Sequence, residues 1–174
     1  MNRFERDLPV VYLKPGEMHF AEKPSLVVTV LGSCLSVTMY CKKKRLGGIC
    51  HGLLPQCGSQ KACEGSCLEG FKYVSCSIER MVKLFDRHRV KRRDIEVKCF
   101  GGADMFKREI KIPGLVSIGR QNVQVAEQIL AKEGLSLKVS DVGGLQGRKI
   151  LFYTDTGDVY LKRLTRENNP DSLL

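Results

Sequence analysis

Hydrophobic positions in the first third of the chain follow the two-residue period of β-strands. Residues 25–30 form a β-branched apolar run, and apolar and polar residues alternate along 35–40 as they do in a half-buried strand. Residues 46–51 form another apolar segment, and the four basic residues 42–45 separate it from the preceding strand. The pattern therefore predicts a strand followed by a β-hairpin with a charged turn.

Beyond residue 70 the hydrophobic period lengthens to that of helices. The apolar face of a first predicted helix is formed by Val74, Ile78, Met81, Val82 and Phe85. A second helix is predicted over 119–133 and ends at Gly134. Further strands are predicted over 95–100, 135–142, 149–153 and 159–164, the last two as a hairpin around residues 155–158.

This order of strands, helix, strand, helix and strands favours the α+β class over a regular βαβ repeat. The 174 residues fit a single domain over 1–174, with a mixed β-sheet or β-sandwich core and the two main helices packed outside. We expect the core to span about 10–164 and the polar residues 165–174 to form a flexible tail. Residues 56–70 read as a loop rich in Gly, Ser and Cys. No phosphate-binding glycine motif is present, so no nucleotide cofactor is expected.

The chain has a net charge of +10, with basic clusters at 42–45 and 91–93. Such charge attracts nucleic acid, anionic membranes or acidic proteins, but each cluster alone is more typical of a solvated turn. No RNA-binding aromatic motif accompanies the clusters, so a nucleic-acid partner is not expected. No apolar run approaches the ~20 residues that span a bilayer, and residues 1–6 do not begin a secretory signal. The sequence predicts a cytoplasmic protein without membrane insertion.

The cysteines are the first candidates for chemistry. The eight are Cys34, Cys41, Cys50, Cys57, Cys63, Cys67, Cys76 and Cys99. In a cytosolic chain they indicate free thiols, a metal site or catalysis. Zinc could bind Cys57, Cys63, Cys67 and Cys76, but their spacing is looser than the C-x2-C pairs of structural zinc sites. We therefore favour thiols without a metal.

Cys34 is singled out because it follows an apolar strand and a Gly32-Ser33 turn. Such a turn can expose a thiol, and the backbone N–H groups around Gly32 and Ser33 can point at an oxyanion, which a cysteine nucleophile requires. The alternative is a buried structural cysteine, the commoner fate of a free thiol.

His51 is the natural partner of Cys34. If the two hairpin strands pair, Cys34 just before the first strand comes near His51 at the end of the second. An imidazole in hydrogen-bond reach is expected to lower the thiol pKa and to protonate the leaving group; alone, His51 could equally be a satisfied strand-end residue. His19 falls in a predicted loop and His88 at the basic end of a helix. Thr29 could orient the imidazole or simply fill a strand position.

Several short motifs follow one another along the chain. They are Leu31-Gly32-Ser33-Cys34, Ile49-Cys50-His51, Leu53-Leu54-Pro55, Phe100-Gly101-Gly102-Ala103-Asp104-Met105-Phe106, Ile118-Gly119-Arg120-Gln121-Asn122, Gly143-Gly144, Gly147-Arg148-Lys149-Ile150 and the Thr156-Gly157 turn. In this order, and with the 17-residue step from Cys34 to His51, they closely resemble the CheD family of chemoreceptor glutamine deamidases. The resemblance covers about 10–164.

The resemblance implies a cysteine hydrolase with a Cys-His-Thr triad and a fold related to toxin-type cysteine deamidases. It assigns Cys34 as the nucleophile and His51 as the general acid and base, and it implies no cofactor. In the family the threonine stands six positions before the cysteine, where this chain has Val28. Thr29 stands five before, and a one-residue contraction of the turn would give it the role. The loop with Cys57, Cys63 and Cys67 departs from the usual family loop.

The resemblance also implies a function. The family is a protein-glutamine glutaminase that converts receptor glutamines to glutamates, can act as a receptor methylesterase, and often binds the phosphatase CheC. We therefore expect the substrate to be the cytoplasmic helical hairpin of methyl-accepting chemotaxis receptors. The alternative is a binding adaptor that mainly regulates a CheC-type phosphatase, with catalysis secondary.

Overall fold

The computed structural model describes residues 7–58, 70–104 and 116–164. Within these ranges the chain forms nine strands and two α-helices, with short 3-10 helices at Gly70–Lys72 and Arg92–Asp94. The strands are β1 (Val10–Tyr12), β2 (Met18–Ala21), β3 (Leu26–Leu31), β4 (Leu35–Cys41), β5 (Leu46–Cys50), β6 (Glu96–Gly101), β7 (Leu137–Val142), β8 (Arg148–Tyr153) and β9 (Val159–Arg163). The helices are α1 (Val74–Arg87) and α2 (Ile118–Lys132).

The strands form two sheets. The outer sheet has the order β1-β3-β8-β9, with β1 parallel to β3 and the other pairs antiparallel. The central sheet has the order β2-β5-β4-β6-β7, with β6 parallel to β7 and the other pairs antiparallel. Two mixed sheets with two α-helices confirm the predicted α+β class.

The central sheet lies between the outer sheet and the helices. One core joins the central sheet to α1 through Leu35, Val37, Met39, Ile78 and Phe85. A second core joins it to the outer sheet through Val27, Leu31, Ile49, Ile150 and Phe152. The prediction that β4 is half-buried is wrong, because the outer sheet covers the strand face that carries Ser36, Thr38 and Tyr40.

The predicted hairpin is confirmed by the pairing of β4 with β5. Thr38 lies opposite Ile49 and Cys41 lies opposite Leu46, with residues 42–45 forming the turn. The other predicted strands and helices begin and end within two residues of the observed bounds. The hairpin and β3 together bring the segment before β4 and the segment after β5 to the same end of the molecule.

Sequence analysis did not predict β1 or β2, which have three and four residues. These strands pair with β3 and β5, so they depend on distant segments for their backbone hydrogen bonds. The placement of His19 in a loop is therefore wrong, because His19 lies in β2. Its Nε2 atom is 3.2 Å from Ser25 Oγ, and burial lowers its pKa.

The basic residues of the turn at 42–45 make ion pairs. Lys43 Nζ lies 2.7 Å from Asp94 Oδ1, and Arg45 Nη2 lies 3.1 Å from Asp155 Oδ2. The cluster at 42–45 follows β4, whereas Cys34 precedes it, so the cluster lies at the opposite end of that strand.

Some sequence predictions fall where the structure gives no description. Most of the loop at 56–70 and the whole tail at 165–174 lie outside the described residues. The domain limits of 1–174 stay a prediction. In the described ranges, no helix has the length and apolar character needed to cross a membrane.

Candidate active site

Cys34 lies in a tight turn over residues 32–34, here called the Cys34 turn, between β3 and β4. The N–H of Ala103 donates to the carbonyl of Gly32 at 2.9 Å, and the N–H of Gly102 donates to the carbonyl of Cys34 at 2.7 Å. Hydrogen bonds from the segment after β6 therefore fix the conformation of the Cys34 turn. The thiol itself is partly exposed and packs against the core between the two sheets.

The last pair of the β4–β5 ladder sets the distance between Cys34 and His51. Leu35 and Gly52 exchange both backbone hydrogen bonds, at 2.9 and 2.8 Å. By this register His51 is opposite Ser36, and Cys34 is its diagonal neighbour on the same strand face. Diagonal neighbours on antiparallel strands lie about 7–8 Å apart. The hairpin thus brings the two side chains to one end of the space between the sheets, as the sequence predicted.

Thr29 of β3 contacts the imidazole from the outer sheet. Its Oγ1 atom lies 2.8 Å from His51 Nδ1 and donates to the carbonyl of Leu13 at 2.8 Å. Because the hydroxyl hydrogen goes to Leu13, Oγ1 accepts the hydrogen of Nδ1–H. This assigns the tautomer in which Nε2 carries a lone pair. Within the described chain that buried Nε2 has no hydrogen-bond partner.

Strand alternation decides between Thr29 and Val28. Val27 and Leu31 belong to the core between the sheets, so Thr29 faces the same space and Val28 faces the outer side of the sheet. Val28 therefore cannot reach His51. The shift by one position relative to the family pattern is compatible with a shorter turn before Cys34.

Burial keeps both candidate groups neutral. The imidazole of His51 is only 2% exposed, and burial lowers its pKa to about 4, against smaller opposing effects from the Leu13 carbonyl and Glu17. Burial also raises the pKa of the Cys34 thiol, and the backbone N–H of Cys34 opposes this only partly. The expectation that His51 lowers the thiol pKa is therefore wrong, because a neutral imidazole without a hydrogen bond to the sulfur gives a thiolate no stabilisation.

The free amides of the Cys34 turn form the second feature that a nucleophile needs. In the described residues, the N–H groups of Ser33 and Cys34 donate no backbone hydrogen bond. A trans peptide points its C=O and N–H in opposite directions, so the carbonyl of Gly32, held by Ala103, directs the N–H of Ser33 to the other side. Two adjacent N–H groups beside a thiol, with no backbone acceptor among the described residues, suit an oxyanion. The oxyanion role predicted for Gly32 and Ser33 stays a prediction.

Sequence reasoning missed the residues that support this turn. Gly101 has φ of +106°, and a Cβ there would clash with the carbonyl of Cys34. Asn122 is fully buried, and its side chain contacts the Cys34 turn. Both belong to motifs that the sequence analysis quoted, but a motif alone does not say which residues meet in space.

Arg148 supports the neighbouring loop. Its guanidinium is buried, lies 2.7 Å from Asp141 Oδ1, and donates to the carbonyls of Gly143 at 2.7 Å and Gln146 at 3.1 Å. The loop over 143–147 meets the end of β3 immediately before the Cys34 turn, because the Cβ position of Gly147 lies 3.2 Å from the carbonyl of Leu31. A buried arginine thus fixes a loop that borders the candidate site.

Three of the other described cysteines serve packing. Cys41, Cys50 and Cys99 are buried core residues, and burial raises the pKa of Cys50 to about 12. Cys57 and Cys76 are partly exposed, while Cys63 and Cys67 of the zinc hypothesis lie outside the described residues. Among the residues that the structure describes, no group of three or more His, Cys, Asp or Glu side chains is arranged to hold a metal ion.

Comparisons with known proteins agree with the resemblance. Residues 53–163 match the model of a family described as "CheD chemotactic sensory transduction". The "Probable chemoreceptor glutamine deamidase CheD 2" of Geobacter sulfurreducens is 50% identical over 159 residues, which are 91% of this chain and 92% of the relative. The "Probable chemoreceptor glutamine deamidase CheD" of Maridesulfovibrio salexigens is 36% identical over 95% of this chain and 98% of its own length. A solved structure, the hypothetical protein YfiH of Bacillus licheniformis, has a TM-score of 0.47 at 14% identity and covers 72% of this chain and 49% of its own. On the family model and these two relatives, the chain belongs to the CheD family.

Proposed function

We propose that this protein is a protein-glutamine glutaminase that acts in the cytoplasm on methyl-accepting chemotaxis receptors. The observation that carries the proposal is the buried Nε2 of His51, which has no hydrogen-bond partner among the described residues. Thr29 holds this imidazole on the same strand face as the Cys34 thiol. The names of the relatives, "Probable chemoreceptor glutamine deamidase", support the choice of substrate. The proposed site on the receptors is their cytoplasmic helical hairpin.

In the first half of the reaction, Sγ of Cys34 attacks the side-chain carbonyl carbon of a glutamine. Nε2 of His51 accepts the thiol proton as the carbon–sulfur bond forms. The N–H groups of Ser33 and Cys34 stabilise the negative oxygen of the tetrahedral intermediate. The imidazolium then gives its proton to the amide nitrogen, the carbon–nitrogen bond breaks, and ammonia departs. A thioester remains on Cys34.

In the second half, water replaces ammonia and the steps run in reverse. Nε2 of His51 takes a proton from water, and the hydroxide attacks the thioester carbon. The carbon–sulfur bond breaks, glutamate is released, and the imidazolium returns its proton to the Cys34 sulfur. Thr29 keeps Nδ1 protonated throughout, so Nε2 is the atom that moves protons. No step uses a metal or an organic cofactor.

Mass spectrometry of a receptor cytoplasmic fragment tests the proposal. Incubation with the protein should give the mass increase of an amide-to-acid conversion at specific glutamines, with release of one ammonia for each. Cys34→Ala should abolish the change. Cys76→Ala is the matched control, because Cys76 is a partly exposed cysteine outside the site. Deamidation by Cys34→Ala at the rate of the unchanged protein would refute the mechanism.

The same thioester could also form from a receptor glutamate methyl ester, with methanol as the leaving group. Receptor methylesterase activity is thus a second reaction of the proposed site. Methanol release from a methylated receptor fragment should be lost in Cys34→Ala together with deamidation. Methanol release that persists in this variant would assign the esterase activity to another site.

A CheC-type phosphatase is the further partner that we propose, on the basis of the family resemblance. If the protein served mainly as an adaptor, binding would not need the thiol. Co-purification of a CheC-type phosphatase with Cys34→Ala therefore tests the adaptor function separately. A partner bound by this variant, with receptor deamidation undetectable in the unchanged protein, would favour the adaptor.

A further inference from the structure

Asn122 of α2 connects the two segments that carry Cys34 and His51. Its side chain is 0% exposed, and its Nδ2 atom donates to the carbonyl of Ser33 at 3.1 Å and to the carbonyl of Leu53 at 3.0 Å. Ser33 immediately precedes Cys34, and Leu53 follows His51 by two positions. One amide group thus uses both of its hydrogens to hold the two halves of the candidate site together.

The Asn122 hydrogen bonds lie just beyond the last backbone pair between β4 and the segment after β5. Leu35 and Gly52 form the last backbone pair between the two chain segments. In an antiparallel ladder hydrogen-bonded pairs alternate with non-hydrogen-bonded ones, so the next hydrogen-bonded pair would be Ser33 and Leu54. No backbone hydrogen bond joins these two in the described chain. The Asn122 side chain binds the Ser33 carbonyl in place of this missing ladder bond, so the two segments stay connected beyond the last ladder pair.

The bridge also sets the direction of one N–H group. The carbonyl of Ser33 and the N–H of Cys34 belong to the same peptide unit, and a trans peptide points them in opposite directions. Asn122 holds the Ser33 carbonyl, so it fixes the side to which the Cys34 N–H points. The two flanking carbonyls of the turn are held by backbone N–H groups, so this is the peptide whose orientation depends on a side chain.

We infer that Asn122 is a positioning residue that orients the Ser33–Cys34 peptide so that the Cys34 N–H faces the oxyanion of the reaction. This inference rests on the proposed function, because it assigns the oxyanion donor of the same site. Asn122 does not touch the substrate; it acts through the peptide that it holds.

The side-chain oxygen of Asn122 also supports this assignment. Oδ1 of Asn122 is buried and accepts no hydrogen bond from the residues that the structure describes. A flipped amide would place Oδ1 against two carbonyl oxygens, so the two acceptors determine the orientation of the side chain. A buried acceptor without a hydrogen bond is unfavourable. An amide is therefore retained here for its two donors and not for its oxygen.

The test compares two reactions of the same thiol. Asn122→Leu keeps the approximate shape and removes both donors, and Asn122→Ala removes the donors with a smaller side chain. In both variants we expect kcat for deamidation of the receptor fragment to fall about a hundredfold, the usual cost of losing an oxyanion donor. Alkylation of Cys34 by iodoacetamide forms no oxyanion, so its rate, followed by peptide mapping, should stay within about twofold of the unchanged protein. KM should change much less than kcat, because the interaction is made in the transition state.

Gln124→Ala is the matched control, because it removes an exposed amide from the same helix, and it should leave both rates unchanged. Thermal unfolding establishes that each variant is folded at the assay temperature. Unchanged kcat in both Asn122 variants overturns the inference while leaving the proposed function intact. An equal fall of kcat and alkylation rate also overturns it, because Asn122 would then be supporting only the fold of the turn. Failure of the unchanged protein to deamidate would instead reject the proposed function, and the inference with it.

Discussion

At the scale of single residues, protonation decides how Cys34 and His51 can react. Burial raises the pKa of the thiol and lowers that of the imidazole to about 4, so both groups are neutral near pH 7. A neutral pair differs from the preformed thiolate–imidazolium pair of many cysteine hydrolases. Here the proton must move to Nε2 as the carbon–sulfur bond forms, which makes the base form of His51 the reactive one.

The acid side of the pH–rate profile tests this protonation state. The kcat/KM of deamidation should hold down to about pH 5 and fall as the pH drops through about 4, where His51 takes up a proton. An ordinary imidazole would give a fall near pH 6.5. Circular dichroism must show that the protein remains folded over this range. An acid limb near pH 6.5 would show that His51 is not held neutral in the free enzyme.

The free energy of unfolding should depend on pH because the pKa of His51 is lowered in the folded protein. Because the folded-state pKa of His51 lies below the unfolded value, the unfolded chain binds the extra proton between about pH 6.5 and 4. The contribution of His51 to the free energy of unfolding is thus fully present above this window. It is lost as the pH falls through the window, by roughly 3 kcal/mol in all. Urea titrations of the protein and of His51→Gln should diverge in their pH dependence there, and parallel curves would contradict the shift.

Thr29 is the third residue whose role can be separated at this scale. Thr29→Val keeps the shape of the side chain but removes the group that accepts Nδ1–H. We expect kcat to fall about tenfold to a hundredfold, as it does when a group that orients a functional histidine is lost. Thr29→Ser should retain most activity. Adding Val28→Thr to Thr29→Val should not restore activity, because position 28 faces the other side of the sheet. Rescue by that second change would show that the strand can shift its register.

At the scale of elements, the Cys34 turn depends on the end of β6. Gly101 adopts φ of +106°, and a Cβ would meet the carbonyl oxygen of Cys34, which cannot move without breaking its hydrogen bond from Gly102. Gly134, after α2, also has a positive φ of +69°, but nothing lies within 4 Å of its Cβ position. An alanine at position 134 would therefore add only backbone strain, whereas an alanine at position 101 would add both backbone strain and a steric clash with Cys34.

Replacing each glycine by alanine should reveal this difference. Gly134→Ala should cost only the left-handed strain, about 1–2 kcal/mol of unfolding free energy, with unchanged activity. Gly101→Ala should cost more and also lower kcat, because it displaces Cys34. Chemical denaturation and the deamidation assay measure the two effects. Equal stability losses with full activity in both variants would show that the Cys34 turn tolerates displacement.

Elements also show what the sequence could and could not predict. Alternation and the charged turn predicted the β4–β5 hairpin, and the hairpin alone brought Cys34 near His51. The short strands β1 and β2 have too few residues for a periodic signal and form only on partners elsewhere in the chain. Asn122 lies 89 residues from Ser33, so its contact depends on how α2 packs over the turn. The pKa shifts could not be predicted either, because they follow from burial between two sheets.

At the scale of the whole molecule, the basic cluster at 42–45 lies far from the candidate site. The cluster at 42–45 and Cys34 lie at opposite ends of β4, whose seven residues place them roughly 25 Å apart at about 3.3 Å for each residue. This distance is about three Debye lengths at physiological ionic strength, where the Debye length is about 8 Å. The cluster cannot contribute to binding at Cys34 by direct attraction, although a long receptor helix could still reach both ends.

Reversing the charge of the turn at 42–45 tests whether a receptor helix contacts both ends of β4 or only the end that carries Cys34. Lys42→Glu together with Lys44→Glu changes the exposed charge of the turn while leaving the ion pair between Lys43 and Asp94 in place. With a short glutamine peptide as the substrate, kcat/KM should be unchanged at physiological salt because the charges are screened. With a long helical receptor fragment, an increase in KM that disappears at high salt would show that the receptor extends along the molecule to the far end of β4. Unchanged KM for both substrates would confine recognition to the end that carries Cys34, whereas a loss of kcat/KM with the short peptide would contradict the separation of charge and site.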